Sequence, residues 1–485
     1  MSRFYLTTTL PYVNADPHIG FALEIVQADV VARLHRQKGE EVIFNTGTDE
    51  HGQKIYQKAL EQGKEPQAYC NEYAAKFDRL KTALNLSYTH FIRTTSPDHV
   101  AAAQEFWRRC DAHGDIYKKN YQTKYCVGCE LEKQDSELTD GRCPVHPNLA
   151  LELREEENYF FRFSNYQKPL LDLYTAHPDF VVPDYRLTEI KNFVEAGLQD
   201  FSISRLKEKM PWGVSVPGDE AHVMYVWFDA LINYISTLGW PKEGSDFETF
   251  WPGVQVAGKD NLRQQSAMWQ AMLLSAGLPP SEQIFIHGFI TADGAKMSKS
   301  LGNVVDPFAM VERYGTDALR YYLLREIVYG ADGDFSLSRF DERYNGDLAD
   351  ELGNLLHRVL TMTEKYAEGI APAPSAQGKQ VSVDRAYFEE LTDQYRFSEA
   401  LSLVWDVVRI ANQDIENAKP WAMAKEGRFD EVKDELAHLL HLLRQIADML
   451  ASYLPETAER MKRALAEPGK PIMKGEPLFP KMETL

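Results

Sequence analysis

Phe4-Tyr5-Leu6-Thr7-Thr8-Thr9-Leu10, a loop bounded by Pro11 and Pro17, then His18-Ile19-Gly20-Phe21: this order of segments decides how the chain folds. Residues 4–10 predict a strand. Leu23, Val26, Val30 and Leu34 follow at spacings of three and four, share one face, and predict a helix from about Phe21 to Arg36 with Gly39 as its stop. His18 and Gly20 then fall at a helix N-terminus, where unpaired N–H groups and the helix dipole favour phosphate. Gly20 has no side chain to block close approach of a nucleotide.

The same grammar repeats along the chain. Glu41 to Asn45 leads to Thr46-Gly47-Thr48-Asp49-Glu50-His51-Gly52, Val254 to Ala257 leads to Gly258-Lys259-Asp260, and Ile284 to Ile286 leads to His287-Gly288. Ligands bind outside the carboxyl ends of strands in an open parallel sheet, so these polar clusters predict one crevice in an α/β, Rossmann-like fold. An insertion, roughly Tyr117 to Tyr225, splits that sheet. The expected organisation is a catalytic domain over 1–116 and 226–290, an inserted domain over 117–225, a loop and stem-contact region over 291–340, and an all-α bundle over 341–485.

Far downstream stands Ala295-Lys296-Met297-Ser298-Lys299-Ser300. Attack on the α-phosphate of ATP builds negative charge on equatorial oxygens and on departing pyrophosphate, so such a site needs well-placed cations more than covalent machinery. Lys296 and Lys299 supply two. Taken alone, the hexapeptide reads equally as an exposed loop and His18 as an ordinary loop histidine; together, and in this order, they point to nucleotide activation.

Three of the five cysteines lie in one short segment: Cys126-Val127-Gly128-Cys129, then Cys143-Pro144-Val145-His146. Two close ligand pairs on tight turns fit a closed tetrahedral zinc site with no open position, hence a structural one. Metal would replace the core that so small a knuckle cannot bury. Cys70 and Cys110 lie in helical patterns and read as inert buried thiols.

Composition narrows the class. The chain has 485 residues, 44% hydrophobic and 26% charged, as in ordinary soluble proteins. It has no apolar run near the ~18 residues of a membrane span and no secretory start, so a cytoplasmic location is expected. A net charge of −19 argues against non-specific nucleic-acid binding while leaving room for a local basic surface. Beyond about Phe340 the pattern turns helical: Leu348, Leu352, Leu355, Val359 and Met362 predict one helix, Phe429 to Leu465 another, and Gly369 to Gln380 a loop between helices of the bundle.

On these residues the chain resembles the class I aminoacyl-tRNA synthetases, and among them the bacterial methionyl type. The likeness extends to Leu10-Pro11-Tyr12-Val13-Asn14, Glu157 to Arg162, Asp200 to Arg205 and Tyr225-Val226-Trp227-Phe228-Asp229-Ala230. It implies activation of methionine by ATP with magnesium, a methionyl-adenylate intermediate, and transfer to tRNA(Met). By position, Asp49 would hold the methionine ammonium, and Leu10, Tyr12, Trp227, Ala230, Leu231, Tyr234, Asn261 and Gln265 would surround or neighbour the side chain. Asn14, His18, Gly20, His51, Gly258, Asp260, Lys296 and Lys299 would serve ATP, with His18, Gly20, Lys296 and Lys299 carrying the chemistry. Asn354, Arg358 and Trp421 would meet the anticodon, with Trp421 stacking on a base. Without the likeness, Trp227 reads as a core aromatic and Trp421 as part of a capped helix start.

Departures from the family pattern are Phe21 for the second histidine of the nucleotide motif, Leu231 for a proline, Asn261 for an aliphatic residue and Gln265 for a histidine. The end of the sequence soon after the bundle gives the expectation of a monomer. Alternatives are a synthetase for another small apolar amino acid, a small-molecule nucleotidyltransferase, and a non-catalytic tRNA-binding paralogue.

Overall fold

The computed structural model describes residues 2–129, 131–133, 137–292, 294, 304–373 and 383–482, with the side chains of 121–123, 131, 132 and 154–156 also outside the description. The chain forms two compact units: 1–16, 41–79 and 88–286 make the first, and 17–40, 80–87 and 287–485 make the second.

The first unit is built on a six-stranded sheet. Its strands are β1 (Arg3–Thr8), β2 (Glu41–Thr48), β3 (His90–Arg93), β7 (Val181–Val182), β12 (Val254–Gly258) and β13 (Gln283–His287), in the order β3-β2-β1-β12-β13-β7. β1 pairs in parallel with β2 and β12, β2 with β3, and β13 with β7. Parallel strands are covered on both faces and so read as continuous runs rather than alternations; β2 buries every residue after Glu41. That coverage corrects one expectation, because Thr46-Gly47-Thr48 belongs to the strand and not to the loop after it. The inserted segment carries a four-stranded sheet, β5-β4-β6-β8, of β4 (Ile116–Cys126), β5 (Leu131–Lys133), β6 (Glu152–Phe161) and β8 (Phe201–Ser202). A three-stranded sheet, β10-β11-β9, joins β9 (Ser204–Leu206), β10 (Ser215–Val216) and β11 (Asp219–Met224). The core is rich in rings: Phe106 stacks on Trp269 at 5.6 Å and meets Trp240 and Phe228 edge-on. Cys70 and Cys110 are fully buried on helices, as the sequence predicts.

The second unit contains α1 (Ile19–Gln37), the parallel pair β14 (Ile290–Ala292) and β15 (Gly333–Phe335), and a helix bundle. Its helices include 354–366, 397–418, 429–453 and 455–464, of which the first three bury apolar faces spaced as Leu355, Leu356, Val359 and Leu360 are. Leu348 and Leu352 fall in a π-helical stretch, Tyr344–Gly353, rather than in the same helix as Val359. The long leucine-rich pattern likewise breaks at Leu454, before Pro455, whose ring prevents continuation. The buried Arg320 guanidinium ties the unit together by pairing with Asp29 of α1 at 2.8 Å and donating to the carbonyls of Leu84, Ser452 and Tyr453.

Two predictions follow from this packing. An added Cβ at Gly47 would sit 1.8 Å from the Ile92 carbonyl oxygen across the β2–β3 ladder. Gly47→Ala is expected to lose more than about 3 kcal/mol in a urea melt, an overpacking penalty with no flexible neighbour to relieve it; a loss under ~1 kcal/mol contradicts the assignment of that register. Second, Asp317 accepts the Thr457 N–H at 2.6 Å in a buried site, where burial pushes its carboxyl up to about 6 against the pull of Arg320. A native value above the ordinary 3.8 stabilises the fold at low pH, and that contribution is lost as pH rises from about 4 through 6. Asp317→Asn should therefore gain on the order of 2 kcal/mol over the parent at pH 7.5, with the gap closing at pH 4.5 in thermal melts; a pH-independent gap refutes this.

Candidate functional site

Site residues of the first unit gather where β1 and β2 end. Past the strands, Tyr12 and Asp49 form an isolated parallel bridge, one residue out of register with the β1–β2 ladder, with Asp49 N–H donating to the Pro11 carbonyl at 3.0 Å and Val13 N–H to the Asp49 carbonyl at 3.2 Å. The Tyr12 hydroxyl donates to the His51 carbonyl at 2.7 Å. These bonds hold the backbones of Tyr12 and Asp49 side by side just past the strand ends. Glu50 points the other way and is saturated: Arg93 grips it with two bonds of 2.6 and 2.9 Å, and the Thr48 and Thr95 hydroxyls donate to it. Its role is to anchor the turn.

His51 belongs to a buried chain that sequence reading did not reveal. Its Nδ1 lies 2.6 Å from Asp229 Oδ2, the other oxygen of Asp229 lies 2.9 Å from His99 Nε2, and His99 Nδ1 lies 2.9 Å from the Ser236 hydroxyl. Burial alone would push the Asp229 carboxyl up; the charge of His51 and the hydrogen bonds from both imidazoles overcome it and hold it at about 2. Trp212 packs edge-on against the His51 ring at 5.6 Å and donates its indole N–H to the Glu50 carbonyl. A histidine on an apolar helix face reads as core, and so His99 carries no sequence signal.

Asp229 sits on the short helix Val226–Ala230 together with Trp227 and Ala230. Ala230, Leu231 and Tyr234 are buried, and the last two belong to the hydrophobic core. Trp227 borders a cavity of about 610 Å³ whose wall also includes Tyr225, Phe193, Arg205, Gln264 and Met268. Gln265 donates from Nε2 to the Tyr234 hydroxyl at 2.7 Å, while its Oε1, the Oε1 of Gln264 and the indole N–H of Trp227 are buried without a hydrogen-bond partner among the described residues. Leu10 is half-buried, as are Asn14 in the loop after β1 and Asn261, which ends the turn following β12. Gly258 closes β12 in a buried position, and Asp260 stands exposed one residue before Asn261.

The second unit holds His18 and Gly20. His18 caps α1, its Nδ1 accepting from Gly20 N–H at 3.1 Å, and the Ile19 N–H bonds the Val305 carbonyl at 3.1 Å. The chain just beyond the lysine hexapeptide thus docks on the first turn of the helix predicted to face phosphate. Lys296 and Lys299 lie outside the described residues. In the bundle, Asn354 is exposed at the start of helix 354–366, Arg358 pairs with Glu416 at 2.6 Å, and Trp421 lies half-buried in the first turn of helix 420–425.

In the inserted segment, the ligand atoms of Cys126, Cys129, Cys143 and His146 all lie within 4.8 Å of one another. The Cys129 and Cys143 sulfurs are 3.4 Å apart, and His146 Nδ1 lies 3.1 and 3.8 Å from the sulfurs of Cys129 and Cys126. Tetrahedral donors at roughly 2.0–2.3 Å from one ion stand on the order of 3.5 Å apart, so the set fits a metal ion. Gly128 is required beside it, because a Cβ there would come within 2.6 Å of the His146 ring. Among the described residues, no helix is long and apolar enough to cross a membrane.

Comparison with known proteins agrees with this geometry. The family described as tRNA synthetases class I (M) matches residues 4–150 and 134–360. The methionine–tRNA ligase of Thermotoga maritima is 42% identical over 99% of this chain and 80% of its own length, and that of Thermosynechococcus vestitus 46% identical over 94% and 89%. A solved structure of Mycobacterium tuberculosis methionyl-tRNA synthetase in complex with methionyl-adenylate superposes with a TM-score of 0.93 at 38% identity, covering 99% of this chain and 100% of that one. Parallel sheet, helical second unit and four-ligand cluster all correspond to one family, and the chain belongs to it: the methionyl branch of the class I tRNA synthetases.

Proposed function

We propose that this protein joins methionine to ATP, forms methionyl-adenylate with release of pyrophosphate, and passes the methionyl group to tRNA(Met). The observation that carries the reading is the Tyr12–Asp49 bridge at the ends of two parallel strands. It pairs the backbones of an aspartate and a tyrosine, residue types that suit an ammonium and a polarizable thioether on one small ligand. Leu10, Trp227, Ala230 and Tyr234 complete the side-chain pocket, with Leu231, Asn261 and Gln265 as neighbours. Asn14, His51, Gly258 and Asp260 serve the nucleotide, magnesium accompanies ATP, and His18, Gly20, Lys296 and Lys299 stabilise the charge that develops on phosphate. Asn354, Arg358 and Trp421 meet the anticodon, Arg358 exchanging its Glu416 partner for RNA. The inserted cluster holds zinc in a structural role.

The polar atoms left by Gln264, Gln265 and Trp227 bear on amino-acid choice. One methylene is worth only about 1–3 kcal/mol in an apolar pocket, whereas buried polar groups discriminate by whether a ligand can pair with them.

ATP–pyrophosphate exchange measured with each of the twenty amino acids should be strongest with methionine, and Asp49→Ala should reduce kcat/KM for methionine by at least ~100-fold through loss of a charge-assisted contact. Exchange strongest with another amino acid would overturn the substrate assignment, and absence of exchange with all twenty would favour a non-catalytic paralogue. For the metal, elemental analysis should find one zinc per chain; Cys143→Ser should lose it and lower the melting temperature while exchange stays within about threefold. Loss of exchange at full thermal stability would instead place the metal in catalysis.

A further inference from the structure

We infer that Asp229, steadied by His99, is a positioning residue for His51: it fixes the His51 proton on Nδ1 and reserves Nε2 for the ligand. The inference rests on the nucleotide role proposed above for His51, and goes beyond it in naming what sets the chemistry of that imidazole.

The geometry leaves little freedom. Asp229 is fully buried, and an ionised carboxylate can only accept. With His51 Nδ1 at 2.6 Å from one oxygen and His99 Nε2 at 2.9 Å from the other, both rings must present an N–H to it. His99 is held in turn by the Ser236 hydroxyl at 2.9 Å, so the carboxylate cannot rotate without breaking two bonds. On its other sides His51 is fixed by the edge-on Trp212 ring and by the Tyr12 hydroxyl on its carbonyl. Nε2 is then the one ring nitrogen left to address a substrate, and its character is set from behind, in the way that outer partners orient metal-bound or catalytic imidazoles.

The helix that carries Asp229 also carries Trp227 and Ala230, so one turn of backbone joins the proposed amino-acid pocket to the proposed nucleotide contact. An asparagine at 229 keeps size and packing but has one carbonyl oxygen and one amide for the two rings, so it reverses the tautomer of whichever ring meets its N–H.

Two measurements on the full-length protein test this. Long-range ¹⁵N–¹H spectra of histidine-labelled protein, with signals identified by their loss in His51→Gln and His99→Gln, should show His51 in the Nδ1–H form and His99 in the Nε2–H form in the parent, and one of the two rings reversed in Asp229→Asn. A parent with His51 already in the Nε2–H form, or spectra of both rings indifferent to Asp229→Asn, overturns the inference, whether or not exchange activity is found with any amino acid. In methionine-dependent exchange, Asp229→Asn and His51→Gln should each lower kcat by on the order of 10–100-fold with the KM for methionine within about threefold. The double variant should lose no more than His51→Gln alone. Additive losses in the double variant, or a loss in Asp229→Asn confined to the KM for methionine, would show that Asp229 acts independently of His51.

Discussion

Parallel pairing of β1 with β2 is the constraint on which the site depends. Two strands that run side by side in the same direction end side by side, and beyond their ends an isolated parallel bridge, one residue out of register with the ladder, pairs Tyr12 with Asp49. What is proposed for the amino acid starts from that bridge, which ties the backbone of an aspartate to that of a tyrosine. Backbone so tied costs little further ordering when a ligand arrives, because the bridge hydrogen bonds have already ordered it.

Behind this edge the protein has placed polar groups in unusual number for a core. Glu50 is taken up by Arg93 and two threonines, Asp229 by two histidines, and Asn45 by Thr7, Asn233 and Thr237. Buried polar networks are costly unless each member finds a partner, and satisfied ones fix a single arrangement. These are satisfied, and they brace the turn after β2 from several directions. Gln264 and Gln265 differ: each keeps an unpartnered carbonyl oxygen beside the residues proposed to wrap the methionine side chain. Bracing is complete where geometry must hold, and incomplete where a ligand or solvent would make contact.

Much of this was legible in the sequence, because the signals were local. A strand, a proline-bounded loop and a helix start announced β1 and α1 to within about two residues at each end, and paired cysteines announced the four-residue ligand set. The missing pieces depended on tertiary neighbours. His99 and Asp229 are separated by more than a hundred residues and meet only because their helices pack together; neither stands in a pattern that distinguishes it from core. The reach of β2 through Thr48 was hidden because threonine and glycine read as a turn, whereas in the fold Gly47 is demanded by the Ile92 carbonyl against it. Periodicity likewise carried across Leu454 because it records which residues are buried, not whether the backbone between them stays helical.

The account stands most directly on where an aminoacyl-adenylate would lie. A crystal structure with an unreactive methionyl-adenylate analogue should place the α-ammonium within about 3 Å of the Asp49 carboxylate and the thioether against Tyr12 and Trp227. An analogue bound with its ammonium away from Asp49, or with its thioether away from both Tyr12 and Trp227, would contradict it.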